Sequence, residues 1–441
     1  MAYLCLLELG IWNLVLGILD MPDRSIAPPL QQITNLKFIQ PVVHQLDNGI
    51  PVHEINLGTQ DVIKLEIIFI AGRWTEQNRL AARATGAILK EGISGKNSAQ
   101  IAEFVDFYGA TLSTASGLDT AGLTLYCMTR HLEQLLPIVR EILTDPIFPQ
   151  KEIDTFVERR SRQLRIEAEK VDVVAYRELT AALYGNDHPY GYNSTPEMYR
   201  QIEREHLVEH FQTNYHAGNS QIILAGKTAK DSVDLLNRYL GDIPAKQNAE
   251  PQYIIAPYEF RKLCYDVPNT LQTGIRTGRR WVSRHHADYA GLFVLNTLLG
   301  GYFGSRLMKN IREDKGYTYG IFSTVDVMLN DCYFYIGTEV GAELTEATLS
   351  EIHKELKILQ TKSVEKEELE RLRNYMLGNL LATLDGPFNV AQVTRALILE
   401  GLDESFFDRI VHTIQHIQPD KLQELAQQYL NVEDFHEVIV G

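Results

Sequence analysis

The chain has 441 residues, of which 45% are hydrophobic, and its formal net charge is −15 at pH 7. This length and apolar content suffice for two domains, each with its own core. The acidic balance argues against nucleic acid or an anionic membrane surface as a partner, because both repel a negatively charged protein.

The cysteines indicate a reducing compartment. There are four, Cys5, Cys127, Cys264 and Cys332, and they are far apart with no Cys-x-x-Cys pair. Such thiols are typical of buried structural residues rather than of a disulfide framework. We therefore expect a cytoplasmic protein, with the periplasm as the alternative.

The N-terminal 20 residues are mostly apolar but carry Glu8, Asn13 and Asp20, and they have no Lys or Arg. A secretory signal needs a basic start and small residues before its cleavage site. A membrane span needs about 20 apolar residues with few charges, so the segment is marginal for that role. Met21 has the appearance of a natural start, and we favour an upstream extension of the reading frame over an anchor or a signal peptide.

The folded pattern begins at about Phe38. The segments PVVHQLD and PVHEIN flank Asn48-Gly49, which is a strong signal for a β-hairpin. A β-rich strand follows at 62–71. The remaining elements expected in this half are helices at about 79–91, 99–108, 131–144, 150–169, 172–185 and 229–240, a helix before Asn214, and strands TLSTAS, LTLYCM and QIILAG.

The second half repeats this plan. The segment LTLYCMTRHLEQLLPIVREIL parallels FYIGTEVGAELTEATLSEIHKEL roughly 210 residues later, and a period this long indicates a duplicated domain rather than a solenoid. Strands followed by helical runs predict an α+β fold, with two antiparallel sheets each packed by helices on one face. The expected organisation is an extension at 1–37, partly disordered, a domain at 38–245, a linker at 246–258 and a domain at 259–441. The elements expected after the linker are strands at about 260–267, 271–278, 319–326 and 332–340, and helices at about 286–299, 343–360, 364–382, 387–402 and 418–430.

The stretch LLGGYFGSRLMKNIREDKGYTYGIFS, 298–323, carries the most chemistry. Gly300 and Gly301 are expected to allow positive φ and a close approach of the backbone to a ligand. Ser305 is a plausible N-cap for a short helix that ends near Asp314. A strand is expected from Tyr317 onward.

Arg312 and Tyr319 stand seven residues apart in this stretch. A strand alternates its faces, so Tyr317 and Tyr319 should point the same way, and a cation and a phenol hydroxyl could converge on one extended ligand. The stretch resembles the C-terminal half of the M16 (pitrilysin/insulinase-like) zinc peptidases. There an arginine and a tyrosine at this spacing, after a Gly-Gly-x-x-x-Ser-Arg-Leu run, bind substrate across a clamshell. The resemblance implies that Arg312 and Tyr319 are the matching pair, with Gly300 and Gly301 as binding residues.

The same resemblance implies a zinc-binding His-x-x-Glu-His helix in the first half, and the ligands are missing. Counted back from Gly92, the motif positions hold Arg83, Gly86 and Ala87, none of which offers a lone pair to a metal. The family's third ligand falls near Arg162 or Gln163, with Glu167 as the nearest carboxylate. No cofactor is therefore expected in this chain.

His206, Glu209 and His210 form a literal His-x-x-Glu-His. They precede NYHAGNSQIILAG, which resembles the family's segment leading into a strand and not its catalytic helix. A motif match needs its structural context. We therefore interpret these residues as a chance match on a solvated helix.

Three functions remain open. The first is a non-catalytic subunit that supplies Arg312 and Tyr319 to a peptide chamber shared with a zinc-bearing M16 partner. This heterodimer is preferred, and a homodimer is the alternative assembly. The second is a metal-free scaffold for assembly or peptide binding. The third is a self-sufficient zinc peptidase that uses His206, Glu209 and His210. Peptides are the expected substrates, and neither nucleic acid nor membrane is expected as a partner.

Overall fold

The computed structural model describes residue 33 and residues 36–247, 251–255, 262–268 and 270–441. Residues 36–441 form one compact unit. Most of the expected extension at 1–37, with Cys5, lies outside the described residues, as does part of the expected linker. The proposed domain boundaries stay predictions.

The first half builds a six-stranded sheet in the order β1-β2-β8-β3-β7-β6, antiparallel except for the parallel pair β2–β8. The Asn-Gly hairpin is confirmed, with Gly49 at φ 89°. The strands, together with the small separate hairpin β4–β5, are β1 Val42–Gln45, β2 Pro51–Asn56, β3 Val62–Phe69, β4 Gly92–Ile93, β5 Lys96–Asn97, β6 Thr111–Ser116, β7 Ala121–Met128 and β8 Ser220–Gly226.

The helices of the first half bury one face of this sheet. In β7 the alternate residues Ala121, Leu123, Leu125 and Cys127 point into the core, as the period of a strand requires. The helices of this half are α1 Ala81–Ile88, α2 Ser98–Phe107, α3 Leu132–Thr144, α4 Gln150–Glu167, α5 Val171–Tyr184, α6 Pro196–Arg200, α7 Arg204–Asn214 and α8 Ser232–Leu240.

Within the residues that the structure describes, the second half repeats the sheet without its outermost strand. Its order is β11-β12-β10-β13-β9, and β13–β9 is a parallel pair as β2–β8 is in the first half. The predicted duplication and α+β class are therefore confirmed. The strands are β9 Lys262–Tyr265, β10 Gln272–Arg280, β11 Ile321–Val327, β12 Cys332–Gly341 and β13 His436–Val440. The helices are α9 Tyr289–Gly300, α10 Thr345–Thr361, α11 Lys366–Thr383, α12 Pro387–Leu399, α13 Glu404–His416 and α14 Pro419–Tyr429.

Helices α5 and α12 are exchanged between the halves. α5 belongs to the first half but packs on the second sheet, where Val171, Ala175 and Leu179 join a core with Val438 and Val440. A Cβ at Gly274 would stand 2.6 Å from the carbonyl oxygen of Val171, so the strand can approach this helix only with glycine there.

The reciprocal contact places α12 on the first sheet. Val390 and Ala391 are buried against Ile55 and Ile223. An ion pair between the halves accompanies this packing: Arg395 Nε, on α12, donates to Glu66 Oε1, on β3, at 2.9 Å. Each half thus covers a sheet face of the other, and the two cores are tied together.

One helix lies outside the predicted elements, and one local expectation was wrong. Helix α13 was not among the predicted elements, although its apolar spacing is helical. The strand expected from Tyr317 begins only at Ile321. None of the helices in the described ranges combines the length and the apolar character that a membrane span requires.

Candidate functional site

Gly300 and Gly301 end the buried helix α9. A Cβ on Gly300 would lie 2.4 Å from the backbone nitrogen of Ser323, and one on Gly301 would lie 2.7 Å from Thr297 Cα. Gly301 has φ −82°, and neither glycine takes positive φ, so that expectation was wrong. In this stretch positive φ occurs at Gly316, at 66°. Gly300 lets α9 pack against β11, whereas Gly301 lies against the last turn of α9 itself, and the binding role of both glycines stays a prediction.

The short helix that follows is a π-helical turn, Met308–Asp314. Three side-chain contacts hold it against neighbouring helices. Arg306 binds Glu368 through two hydrogen bonds of 2.9 and 2.7 Å, and Asn310 donates to Glu355 at 2.7 Å. Lys315 lies 3.3 Å from Glu351. The turn is therefore a fixed base for Arg312.

Ser305 stands three residues before Met308, and its carbonyl accepts the N–H of Lys309 at 2.9 Å. The expected side-chain cap was wrong, however. The Ser305 hydroxyl is buried and has no hydrogen-bond partner within the described ranges. The helix start is thus set by tertiary contacts rather than by the serine side chain.

Arg312 lies at the end of the turn with its guanidinium carbon 4.8 Å from the ring centroid of Phe303. Phe303 is 60% exposed. Among the residues that the structure describes, no carboxylate lies within ion-pair distance of Arg312, whereas Arg306 and Lys315 are both paired. A cation stacked on an aromatic face keeps its N–H edge available to a ligand. The sequence reasoning missed Phe303, and an aromatic residue inside the glycine run was the only signal for it.

Tyr319 is 93% exposed. It lies in a loop segment that Thr318 holds beside β12, since the Thr318 hydroxyl donates to the carbonyl of Glu339 at 2.7 Å. The segment lies outside the sheet, so strand alternation does not fix the directions of Tyr317 and Tyr319. No hydrogen bond joins the side chains of Arg312 and Tyr319 within the described chain. The two side chains belong to one surface stretch, seven residues apart in sequence, and each is without a polar partner among the described residues.

The positions of the lost zinc motif lie on α1. The guanidinium of Arg83 stands 3.5 Å from Tyr199 Oη. A Cβ on Gly86 would lie 2.6 Å from Ser116 Cβ, so the helix runs directly against the last residue of β6. Ala87 packs on the core. A glutamate at position 86 would not fit unless β6 moved away.

The expected location of the third ligand is a solvent-facing stretch of α4. Arg162 pairs with Glu158 at 2.7 Å, and Gln163 donates to Glu167 at 3.1 Å. Within the part of the chain that the structure describes, no three His, Cys, Asp or Glu side chains lie where they could share one metal ion.

His206, Glu209 and His210 lie on α7 and line a cavity of about 10 Å³, barely enough for one water molecule. His210 is buried: its Nε2 donates to the carbonyl of Ala71 at 3.1 Å, and its Nδ1 accepts from Asn214 at 3.2 Å. Burial lowers the pKa of His210 to about 4, so the ring is neutral at pH 7.

The other two motif residues also have local partners. His206 Nδ1 accepts the backbone N–H of Glu203 at 3.3 Å, and Glu209 accepts from Asn78 at 3.2 Å. Because both nitrogens of His210 are occupied, this ring has no lone pair to give a metal. That these residues form no zinc site stays a prediction.

Comparison with known proteins finds similarity to the M16 peptidases. Residues 201–376 match the family model described as "Peptidase M16 inactive domain". A Helicobacter pylori protein named "Non-peptidase homolog YmxG" is 21% identical over 97% of both chains. The chain is an inactive-type homologue of the M16 peptidases.

Two further similarities accompany this one. The "Mitochondrial-processing peptidase subunit beta" of Caenorhabditis elegans is 24% identical to this M16 homologue, over 88% of this chain and 87% of that one. The crystal structure of a peptidase M16 inactive domain from Pseudomonas fluorescens superposes with a TM-score of 0.82 at 24% identity, covering 91% of this chain and 98% of that one. The last similarity concerns the fold alone.

Proposed function

We propose that this M16 homologue is the non-catalytic, substrate-binding subunit of a two-chain zinc peptidase. It supplies Arg312 and Tyr319 to a peptide chamber whose zinc is held by the partner. The proposal rests on the surroundings of these two side chains. Each lies on a fixed piece of backbone, and neither has a polar partner among the described residues.

The chemistry of the two groups suits this role. A phenol hydroxyl can donate to a substrate carbonyl or to the oxyanion that develops beside the partner's zinc. A guanidinium offers several coplanar N–H donors to a peptide backbone or a carboxylate. Neither group can activate water as a metal-bound hydroxide does, so hydrolysis requires a second polypeptide.

The first half supports the need for a partner. Arg83, Gly86 and Ala87 hold no metal-binding atoms, and Gly86 lies directly against Ser116. A relative of this chain is itself named as the beta subunit of a processing peptidase. We propose a heterodimer with a chain that carries His-x-x-Glu-His, and extended peptides as substrates.

The test is co-purification with such a chain, followed by peptide-cleavage assays of each chain alone and of the mixture. In the active mixture, Tyr319→Phe and Arg312→Ala should each lower kcat by about 10²–10³, as removal of one transition-state donor does. Tyr108→Phe, a phenol with ring contacts in the first half, is the matched control and should keep full activity.

Each alternative function predicts a different outcome. Full activity of the Tyr319→Phe and Arg312→Ala complexes would refute the proposal and support a scaffold. Cleavage by the isolated chain that His206→Gln abolishes would support the self-sufficient peptidase.

A further inference from the structure

Helix α13 has one apolar and one polar side. Phe407, Ile410, Val411 and Ile414 are buried, whereas His412 and His416 are exposed and one helical turn apart. Residues at i and i+4 lie one above the other on a helix. The two imidazoles therefore share one solvent-facing stripe.

The two rings are stacked, with centroids 4.3 Å apart and planes inclined by 26°. Nδ1 of His416 lies 2.9 Å from the carbonyl oxygen of His412. The nitrogen of a neutral imidazole that faces a carbonyl must carry the proton, so the lone pair of His416 is on Nε2. Imidazoles that bind metals are oriented in this way, by an N–H donated to a carbonyl from the nitrogen that does not bind. The imidazole of His412 has no hydrogen-bond partner within the described ranges and is free to turn its Nε2 toward the same point.

We propose that His412 and His416 form a two-imidazole chelate for a divalent transition-metal ion. Imidazole suits Zn²⁺, Ni²⁺ and Cu²⁺, and the general order of affinities places Cu²⁺ first. Water completes the coordination. Asp408 lies one turn before His412 on the same side, but it is about 12 Å along the axis from His416, which is too far to share their ion. The site thus has two protein ligands, in keeping with the lack of any three-ligand group in the described chain.

The chelate is a better metal site than the His-x-x-Glu-His on α7. His210 is buried and uses both ring nitrogens within the protein, whereas His412 and His416 are exposed. A metal ion found on the isolated chain would accordingly belong to α13 and would say nothing about peptidase chemistry. This inference does not depend on the proposed peptidase role.

The experiment is titration of the chain, without a histidine tag, with Zn²⁺ and with Cu²⁺ at neutral pH by calorimetry. The Cu²⁺ complex is also examined by electron paramagnetic resonance. We expect one tight ion per chain and a spectrum with nitrogen ligands. His412→Gln and His416→Gln should each weaken binding at least tenfold, because a chelate becomes a single ligand.

Two controls make the result decisive. His206→Gln should leave metal affinity unchanged, and so should His286→Gln, an exposed histidine that has no second imidazole at i+4. Without metal, His412→Gln and His416→Gln should unfold at the wild-type temperature, because both side chains are exposed. Wild-type affinity in His412→Gln and His416→Gln, or loss of binding in His206→Gln, would overturn the proposal.

Discussion

The contact between Gly86 and Ser116 makes a quantitative prediction. In Gly86→Ala the new Cβ would stand 2.6 Å from Ser116 Cβ and 3.1 Å from Ser116 N, inside van der Waals contact. Overpacking of this kind typically costs about 1–3 kcal/mol. The gain in helix propensity from glycine to alanine offsets about 1 kcal/mol of that cost. We therefore expect Gly86→Ala to lower the free energy of unfolding by up to about 2 kcal/mol.

Gly378 provides the matched control. It lies inside α11, and a Cβ there would meet no atom within 4 Å. Gly378→Ala should therefore raise the free energy of unfolding by about 1 kcal/mol through propensity alone. The assay is urea denaturation of the two variants and the wild type, with the denaturant slopes compared.

The reasoning would be refuted if both alanine variants were stabilised equally. A second check is the double variant Gly86→Ala with Ser116→Gly, which removes the nearest clashing atom and should recover part of the loss. The same contact explains why grafting His, Glu and His onto positions 83, 86 and 87 should not create a peptidase unless β6 is also altered.

Three further predictions concern stability and turnover. Arg395→Met should lower the free energy of unfolding by about 1.5–3 kcal/mol, measured by urea denaturation, because Glu66 loses a charged hydrogen bond between the halves. Burial lowers the pKa of His210 to about 4, so between pH 6.5 and 4 the unfolded chain binds more protons than the folded one. The free energy of unfolding should therefore fall by about 3 kcal/mol as the pH drops through that window. In His210→Gln this part of the pH dependence should vanish, and an unchanged profile would contradict the assignment. Phe303→Leu should reduce peptide turnover of the active heterocomplex roughly 2- to 5-fold by removing the ring beneath Arg312, while Phe303→Tyr should not.

The elements that could be predicted from the sequence have a strong local signal. The Asn48-Gly49 turn, the strand LTLYCM and the 210-residue repeat each follow from the chain itself, and all three are confirmed. Helix α13 also had such a signal, since Phe407, Ile410, Val411 and Ile414 follow a helical period, but it was overlooked.

The remaining features depend on contacts between distant residues. The π-helical turn is fixed by the hydrogen bond between Asn310 and Glu355, which are 45 residues apart. The late start of β11 is fixed by the hydrogen bond from the Thr318 hydroxyl to the backbone carbonyl of Glu339. The exchange of α5 and α12 has no signature in either helix, because an apolar stripe does not say which sheet it covers. The stacking of Arg312 on Phe303 could not be predicted either, because an exposed aromatic residue in a sequence does not indicate which side chain will contact its ring.

The exchanged helices have a practical consequence for anyone who wishes to produce this protein. A fragment ending near residue 245 would lack α12 and leave Ile55, Ile68 and Ile223 facing water, and the complementary fragment would lack α5. Exposed apolar sheet faces of this kind cause proteins to aggregate. Truncated versions should therefore precipitate when expressed alone, and the two pieces should become soluble only when they are made together.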